Sequence, residues 1–369
     1  MIAKDARIYV AGHRGLVGSA ILRKLQEEGF SHLITASHAE LDLLDATAVH
    51  AFFEEEKPEY VFIAAAFVGG ILANSRMGAD FIFRNLAIQQ HLMGESFRCG
   101  VKKLLFLGSS CIYPRCAPQP ICEESLLTSP LEETNEPYAI AKIAGLKMCE
   151  SFNRQYATDW LALMPTNLYG PNDNFNLETG HLLPAILRKM HLAKLLRQGR
   201  YDLIRQDLKR YPVACFNQAD STEEQIKDML GNYGISADCL TLWGSGAPLR
   251  ELMWSDDVAS AALFVMEHVS LKEDIARGGT VRNRHFNVGT GREHTIAQIA
   301  HLVKKVVQFE GTIAFDGVHP DGTPRKLLDV SRLAHLGWKA ETQLEDGLPR
   351  YYKWYCNNTK DSDEDKGKK

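Results

Sequence analysis

The chain has 369 residues, of which 45% are hydrophobic and 24% charged, enough to build one large or two smaller folded domains. A formal net charge of -4 excludes the basic surface of a nucleic-acid-binding protein, and the longest apolar run, residues 60–68, is too short to span a bilayer. Because the eight cysteines form no C-x-x-C pair, we expect no metal site or disulfide framework, mostly reduced and buried cysteines, and a cytoplasmic protein without nucleic-acid or membrane partners.

The first predicted elements are a strand, a glycine turn and a helix. An apolar strand at 7–11 leads into three glycines spaced G-x-x-G-x-x-G, and a helix follows to about residue 28. Such a loop lets the backbone approach a pyrophosphate at the positive end of the helix, although a plain turn before a helix is the alternative. The residues predicted to bind a dinucleotide here are Gly12, His13, Arg14, Gly15, Leu16, Val17 and Gly18.

The end of a second predicted strand, at 32–36, is where a dinucleotide-binding fold contacts the adenosine ribose. No acidic residue stands at this tip, which consists of Ala36, Ser37 and His38, and the cation Arg14 lies in the neighbouring loop. This combination favours the 2′-phosphate of NADP over NAD. The residues expected at the adenosine end are His38, Leu41, Asp42 and Leu43.

Short apolar strands continue along the first half of the chain, at 60–66, 103–107 and 160–164, and helical stretches separate them, the longest at 80–97. This alternation is typical of a doubly wound parallel sheet, in which ligands bind at the carboxyl ends of the strands. We therefore predict an α/β protein with a Rossmann fold.

The composition further predicts two domains. Residues 1–170 are expected to form the NADP-binding Rossmann domain, to which later segments return, and residues 171–353 mainly a smaller C-terminal α/β lobe for the substrate. A polar stretch at 197–238 is interpreted as an insertion in that lobe. The charged tail at 357–369 is expected to be disordered.

A serine and a cysteine follow the strand at 103–107. Ser109 lies at a strand carboxyl end, where its hydroxyl can hydrogen-bond a substrate carbonyl, and an extended backbone would point Cys111 to the same side. A thiol near a lysine can transfer protons, although a packing role is the alternative. The residues expected along the cofactor here are Leu107, Gly108, Ser109 and Ser110.

Tyr138 and Lys142 form the predicted catalytic pair. They stand four apart on a helix that starts near Asn135 and has Pro137 in its first turn, so their side chains share a face. A cation favours the phenolate form of a tyrosine, which suits proton transfer during reduction of a carbonyl by hydride. An exposed Tyr and Lys on a surface helix would be the alternative for an isolated pair.

Three later features suit ligand binding. His181 has a pKa suited to acid or base catalysis, or it is a surface or helix-capping residue. Trp243 and Arg250 suit a base or sugar and a diphosphate, or they are a core tryptophan and a surface arginine. The residues of the loop expected near the nicotinamide are Pro165, Thr166, Asn167 and Leu168.

Together these residues resemble the GDP-L-fucose synthase family of extended short-chain dehydrogenases. The resemblance covers residues 7–353, and its most specific part is the run Ser109, Ser110 and Cys111, because related dehydratases and epimerases lack this thiol. The runs that carry it are 12–15, 107–114, 135–145, 164–171, 243–246 and 320–329.

The resemblance implies an enzyme that epimerises GDP-4-keto-6-deoxymannose at carbons three and five and then reduces carbon four with NADPH. In that scheme Cys111 and His181 exchange protons beside the ketone, Ser109 and Tyr138 hold its oxygen, and Lys142 binds the cofactor ribose and lowers the phenol pKa. It also places His181 beside the cofactor and implies a homodimer through a helix pair that includes the Tyr138 helix. The implied substrate-binding residues are Lys189, Trp243, Arg250 and Asp321.

This sequence departs from the family at two predicted ligand contacts. Ala36 and His38 stand where family members carry arginine, which leaves the preference between NADPH and NADH open. Lys189 stands where arginine is common, so a point charge replaces a bidentate fork.

Two other functions compete with the family function. One is a redox-neutral epimerase of the same fold with tightly held NAD. The other is a non-enzymatic dinucleotide sensor, against which intact Ser109, Tyr138 and Lys142 argue.

Overall fold

The computed structural model describes residues 1–70, 74, 76–217, 219–318 and 321–360, and divides the chain into two compact units. The first unit comprises Met1–Asn172, Glu251–Arg292 and Lys326–Thr342. The second unit comprises Asp173–Arg250, Glu293–Arg325 and the chain from Gln343 onward. Each unit is therefore assembled from segments that are far apart in sequence.

The strands in chain order are β1 (Ile8–Ala11), β2 (Leu33–Ile34), β3 (Tyr60–Ile63), β4 (Lys103–Leu107), β5 (Trp160–Pro165), β6 (Asn167–Tyr169), β7 (Cys239–Trp243), β8 (Leu249–Arg250), β9 (Leu252–Trp254), β10 (Phe286–Val288), β11 (His294–Thr295), β12 (Thr312–Asp316) and β13 (Arg325–Lys326). The α-helices are α1 (Leu16–Glu27), α2 (Ala46–Glu56), α3 (Gly78–Arg98), α4 (Glu136–Tyr156), α5 (Leu182–Arg197), α6 (Tyr201–Arg210), α7 (Glu223–Gly231), α8 (Ser255–His268), α9 (Leu271–Ala276), α10 (Ile296–Val307), α11 (Ser331–His335) and α12 (Leu344–Lys360).

The first unit is built on a six-stranded parallel sheet in the order β10-β5-β4-β3-β1-β2. β1, β4 and β5 are buried along their whole length, as expected when helices cover both faces of a parallel sheet. The predicted α/β Rossmann architecture is thereby confirmed. The sixth strand, β10, comes from the later segment Glu251–Arg292.

Helices cover both faces of this sheet. On one face Ile21 of α1 and Val258 of α8 pack into a core with Val10 of β1. On the other face Phe53 of α2 and Leu146 of α4 pack into a separate core, to which α3 also contributes. Neighbouring residues along β1 alternate between the two cores, so the sheet separates them.

Helix α4 determines where the predicted catalytic pair lies. Pro137 occupies its first turn, where the missing N–H costs nothing, and Asn135 is the N-cap residue. The helix continues through Gly145, which lies against the ring of Phe106 in β4. This close packing positions the first turn of α4, with Tyr138, near the carboxyl end of β4.

The second unit is a smaller α/β assembly. β7 and β12 pair in parallel, with Leu240 opposite Ile313, and helices α5, α6, α10 and α12 pack together. The stretch at 197–238 contains α6 and α7, and α7 starts with a capping box in which Thr222 and Gln225 each accept a hydrogen bond from the other's backbone N–H.

Two sequence expectations need correction or fall outside the description. Helix α12 continues to Lys360 and so includes residues 357–360 of the tail that was expected to be disordered. Residues 361–369 of the predicted tail, and Pro320 at the start of the run 320–329, lie outside the described residues. Within the described chain, no helix is both long and apolar enough to cross a membrane.

Candidate active site

The glycine loop between β1 and α1 forms a cradle for a dinucleotide. Gly12 has a φ of +83°, and a Cβ at this position would lie 2.7 Å from the backbone nitrogen of Ala65. A Cβ on Gly18 would overlap the carbonyl of Gly12. The turn is therefore possible only with glycine, and it leaves Gly15 as N-cap of α1, whose free N–H groups can bind a pyrophosphate. The donor set fits NAD(P).

The end of β2 carries a carboxylate that the sequence did not reveal. Glu40 folds back so that its carboxylate accepts a hydrogen bond from the backbone N–H of Ser37 at 2.7 Å. This bond lowers the pKa of Glu40, and the nearby Arg14 and His13 lower it further. His38 is exposed, with its ring 3.8 Å from the carboxylate of Asp42. Both an anion and a cation thus lie where the adenosine ribose is expected.

His13 is a second unexpected feature of this end of the unit. Its Nδ1 is buried without a hydrogen-bond partner in the described structure. Desolvation lowers the pKa of His13, and the neighbouring Arg14 adds to the effect. An unsatisfied ring nitrogen in the glycine loop is available for a ligand, and the predicted cofactor contact of His13 stays a prediction.

The chain leaves β4 in a tight turn, not in the extended conformation expected from the sequence. Ser110–Ile112 is a 3-10 helix, and the hydroxyl of its N-cap Ser109 accepts from the N–H of Cys111 at 3.2 Å. The condition of an extended backbone is not met, because this local side-chain bond favours a turn. Ser109 and Cys111 are nevertheless held together at the carboxyl end of the sheet.

Tyr138 and Lys142 both lie at this end of the sheet, as predicted. The Lys142 ammonium is buried and donates to the carbonyl of Leu107 at 2.8 Å, with the Tyr138 ring centroid 5.8 Å away. Burial lowers the pKa of Lys142 to about 7. Burial also raises the pKa of Tyr138, the nearby Cys111 raises it further, and the Ser109 hydroxyl opposes this in part. Activation of Tyr138 by Lys142 therefore stays a prediction.

Lys326 joins these residues from far along the chain. Its ammonium lies 3.5 Å from the sulfur of Cys111. The sequence analysis included Lys326 only in the run 320–329, because a contact across 215 positions leaves no local pattern. The first unit thus brings together Ser109, Cys111, Tyr138, Lys142 and Lys326.

Glu251 is another residue that the sequence analysis missed. It is fully buried, and one carboxylate oxygen accepts from the N–H groups of Thr290 and Gly291, each at 2.7 Å. Its other oxygen accepts from Leu328, and its backbone carbonyl accepts from the hydroxyl of Thr166. Burial raises the pKa of Glu251, and these hydrogen bonds oppose the rise. One carboxylate thereby connects the chain after β10 with the segment that carries Lys326.

Four further predicted residues lie at or just after the carboxyl ends of β4 and β5. Pro165 is the last residue of β5, and Asn167 and Leu168 belong to β6, which pairs with β9. Leu107 ends β4. They are the residues that a ligand at the carboxyl ends of this sheet would meet.

His181 and Lys189 belong to the second unit. His181 is the N-cap residue of α5, and desolvation of its ring lowers its pKa. Lys189 lies on the same helix, half-buried, and burial lowers its pKa to about 8. Their predicted roles toward the substrate stay predictions.

Trp243, Arg250 and Asp321 also belong to the second unit. Asp321 accepts from the N–H of Ser245 at 2.8 Å and from its hydroxyl at 2.6 Å, and these bonds lower the pKa of Asp321. Arg250 donates to the carbonyl of Thr323 at 2.7 Å. Trp243 ends β7 with 55% of its surface exposed. The predicted roles of Trp243, Arg250 and Asp321 toward a nucleotide sugar stay predictions.

The cysteines differ from expectation in one respect. All eight are free thiols, but Cys149 alone is buried, and Cys116 and Cys215 are exposed. The prediction that most would be buried was therefore wrong. No group of three or more potential metal-ligating side chains occurs among the described residues.

Comparison with known proteins adds a family to this geometry. The chain matches the NAD dependent epimerase/dehydratase family over residues 8–206 and 215–289. It is 48% identical to GDP-L-fucose synthase 1 of Arabidopsis thaliana, over 97% of this chain and 95% of the relative. It is 45% identical to GDP-L-fucose synthase of Escherichia coli, over 95% and 97% of the respective chains.

A solved structure is also similar over nearly the whole length. It is that of a GDP-D-glycero-L-gluco-heptose synthase from Campylobacter jejuni in the presence of NADPH, with 41% sequence identity and a TM-score of 0.88. The alignment covers 96% of this chain and 100% of that chain.

Proposed function

This chain belongs to the NAD dependent epimerase/dehydratase family and, within it, to the GDP-L-fucose synthases, and we propose that it converts GDP-4-keto-6-deoxy-D-mannose to GDP-L-fucose by 3,5-epimerisation and 4-reduction with NADPH. The observation that carries the proposal is the group of Ser109, Cys111, Tyr138 and Lys142 at the carboxyl end of β4. Reduction alone would not need the thiol, and epimerisation alone would consume no cofactor.

The first unit holds the cofactor. The glycine cradle of Gly12, Gly15 and Gly18 would hold its pyrophosphate, Arg14 and His13 would hold its adenosine half, and Lys142 would bind the ribose next to the nicotinamide. When bound, NADPH supplies the hydride for the reduction at carbon four.

In the epimerisation, Cys111 and His181 act as acid and base at the carbons beside the ketone. A C–H bond breaks, its proton passes to the base, and its electron pair moves onto the ketone oxygen to give an enolate. Ser109 and Tyr138 stabilise that oxyanion by hydrogen bonds. The acid then returns a proton to the opposite face of the carbon, which inverts it without net oxidation.

In the reduction, Tyr138 donates its phenolic proton to the carbonyl oxygen while Ser109 holds that oxygen in place. Burial favours the protonated phenol, since it raises the pKa of Tyr138, so the proton donor is in the required form at neutral pH. The Lys142 ammonium then stabilises the phenolate that remains.

The second unit binds the GDP moiety and the sugar. Trp243 offers an exposed aromatic face, Arg250 and Lys189 are cations for the diphosphate, and Asp321 orders the turn after β7 through Ser245. The first unit is the NADP-binding domain, and the second is the substrate-binding domain.

The protein acts as a cytoplasmic homodimer in which α3 and α4 of two copies pack together. Phe83 on α3 is 71% exposed and Ile140 on α4 is 39% exposed, and these apolar side chains support a helix-pair interface. Sedimentation measurements test the dimer, and Phe83→Glu is expected to yield monomers.

The test of the main proposal is an absorbance assay with purified full-length chain, GDP-4-keto-6-deoxy-D-mannose, and NADPH or NADH in parallel. We expect stoichiometric oxidation of the nicotinamide with GDP-L-fucose as product. Tyr138→Phe should lose about a hundredfold or more of the reduction rate. Absence of oxidation with either cofactor would overturn the proposal and favour the redox-neutral epimerase.

A second assay separates the two reactions. Cys111→Ser should lose incorporation of solvent deuterium into the sugar far more than it loses reduction of an already epimerised substrate. Unchanged deuterium incorporation would remove Cys111 from the mechanism. An unchanged biological function of Tyr138→Phe would instead favour the dinucleotide sensor.

A further inference from the structure

Lys326 is in direct contact with the thiol that the proposed epimerisation uses. Its ammonium donates to Cys111 Sγ at 3.5 Å, and both side chains are half-buried. Lys326 has no carboxylate partner in the part of the chain that the structure describes. An ammonium beside a cysteine favours the thiolate, which is the form that can remove a proton.

The chain holds Lys326 in this place by hydrogen bonds on the residues that follow it. The backbone N–H of Leu327 donates to the side-chain carbonyl of Gln119 at 2.8 Å. The N–H of Leu328 donates to the buried carboxylate of Glu251 at 3.1 Å. The segment is thus fixed from two sides, and its lysine does not depend on a flexible loop for its position.

Cys111 is held equally firmly. It lies in the 3-10 turn after β4, where its N–H donates to the Ser109 hydroxyl at 3.2 Å. The contact between Lys326 and Cys111 therefore joins two segments of the first unit that hydrogen bonds hold in place.

We propose that Lys326 is a further residue of the epimerisation site, whose ammonium, in contact with Cys111 Sγ, stabilises that sulfur when it acts as the base. The inference rests on the proposed function, since it names the group that prepares its thiol. As Cys111 takes a proton from carbon, the S–H bond forms, the electron pair of the C–H bond moves to the ketone oxygen, and Lys326 keeps its own protons throughout.

The other groups around Cys111 do not supply this charge. Ser109 is a neutral hydroxyl, and Tyr138 is neutral near pH 7 because burial raises its pKa. Lys142 is directed at the carbonyl of Leu107. Among the described residues, Lys326 is the cation whose hydrogen bond ends on the sulfur.

The test measures thiol reactivity in the full chain without substrate. Iodoacetamide alkylation is followed peptide by peptide by mass spectrometry, which separates Cys111 from the other cysteines. At neutral pH, Lys326→Met should slow alkylation of Cys111 about threefold to tenfold, because the ammonium that stabilises the reacting sulfur is absent. Lys326→Arg should keep most of the rate, and the exposed-surface control Lys339→Met should keep all of it.

The pH dependence distinguishes a charge effect from a disturbed fold. In alkaline solution, where the thiol ionises without help, the rates of Lys326→Met and the unchanged chain should converge. The exposed Cys116 and Cys215 should react equally in every variant. Equal Cys111 rates at neutral pH, or a deficit that persists in alkaline solution, would overturn the inference. The alkylation assay contains no sugar nucleotide, so its result can be interpreted even if the GDP-L-fucose assay fails.

Discussion

Each of the two units buries a cation, but the two cations differ in their hydrogen-bond partners. In the first unit the Lys142 ammonium is 3% exposed, and its hydrogen bond goes to a single backbone carbonyl. In the second unit the Arg188 guanidinium is 0% exposed and donates to Asp207 at 2.8 Å, to the carbonyl of Phe175 at 3.0 Å and to that of Tyr211 at 2.6 Å.

The difference lies in what each buried charge can do. Arg188 has a counter-ion and a full set of acceptors, so it joins α5 to α6 and to the chain after α6. Lys142 has no carboxylate partner among the described residues, and burial lowers its pKa to about 7. A satisfied charge holds a fold together, whereas an uncompensated charge at a strand end is suited to a ligand and to proton transfer.

Removing Arg188 should give the largest effect. Arg188→Met leaves the buried carboxylate of Asp207 without its cation, so we expect the free energy of unfolding to fall by about 3–5 kcal/mol in denaturant titrations. Arg350→Met, on the exposed side of α12, is the matched control and should change it by less than about 0.5 kcal/mol. A loss under about 1 kcal/mol would show that the ion pair of Arg188 with Asp207 does not stabilise the second unit.

Removing Lys142 should affect activity and leave stability intact. Lys142→Met replaces a poorly compensated buried cation by an apolar chain, so the free energy of unfolding should stay within about 1 kcal/mol or rise. The reduction rate should fall about a hundredfold, since Tyr138 loses the charge that stabilises its phenolate. Initial rates and denaturant titrations on the same preparation decide this, and a stability loss like that of Arg188→Met would erase the contrast between the two cations.

The pH dependence of stability sharpens the same contrast. The pKa of Lys142 is about 7 in the folded chain and about 10.4 for an unfolded lysine, so between these values the unfolded state binds the extra proton. The free energy of unfolding should therefore rise with pH in this window, with a contribution of up to about 1.4 kcal/mol per pH unit. Below the folded pKa both states bind the proton, so Lys142 no longer contributes to the slope of the free energy of unfolding against pH.

The measurement is a series of denaturant titrations across that window for the unchanged chain and Lys142→Met. The contribution is the difference between their slopes, which cancels the titration of all other groups. Identical slopes would mean that the buried ammonium keeps an ordinary affinity for its proton. Arg188 has no corresponding signature, because a guanidinium stays charged throughout this range.

Local patterns predicted much of the first unit. The glycine spacing located the cradle at Gly12, and the short apolar strands gave the parallel sheet, because in both cases the information lies within a few neighbouring residues. The helix carrying Tyr138 and Lys142 followed from Pro137 and a spacing of four. These local patterns predict the final structure because the surrounding structure does not favour a different conformation there.

The missed features all depend on contacts that local patterns do not contain. The turn at Cys111 forms because the Ser109 side chain bonds the backbone, which outweighs the extended preference after a strand. Glu251 and Lys326 reach the site from segments that the fold returns to the first unit. The ion pair of Arg188 could not be predicted either, since no local pattern indicates a partner 19 residues away.

The smallest expected effect concerns an exposed charge, because solvent weakens the electrostatic interactions of an exposed group more than those of a buried one. Glu40 at the end of β2 accepts from Ser37 and lies near Arg14, the cation that would bind a 2′-phosphate. Its carboxylate can bind the ribose hydroxyls of NADH and repels the additional phosphate of NADPH. We therefore expect NADH to be used at a substantial rate, and Glu40→Gln to shift the ratio of kcat/KM values toward NADPH about threefold to tenfold. An effect of this size is what a screened charge near the surface produces.

Steady-state assays with both cofactors measure that ratio, and Glu27→Gln on the exposed face of α1 is the matched control. The shift should shrink as salt is added, because Glu40 and the phosphate both face solvent. Buried Lys142 should show no such salt dependence in its effect on the reduction rate. If Glu40→Gln instead weakens both cofactors equally, the carboxylate serves only to order the turn through Ser37, and discrimination rests on Arg14 and His38 alone.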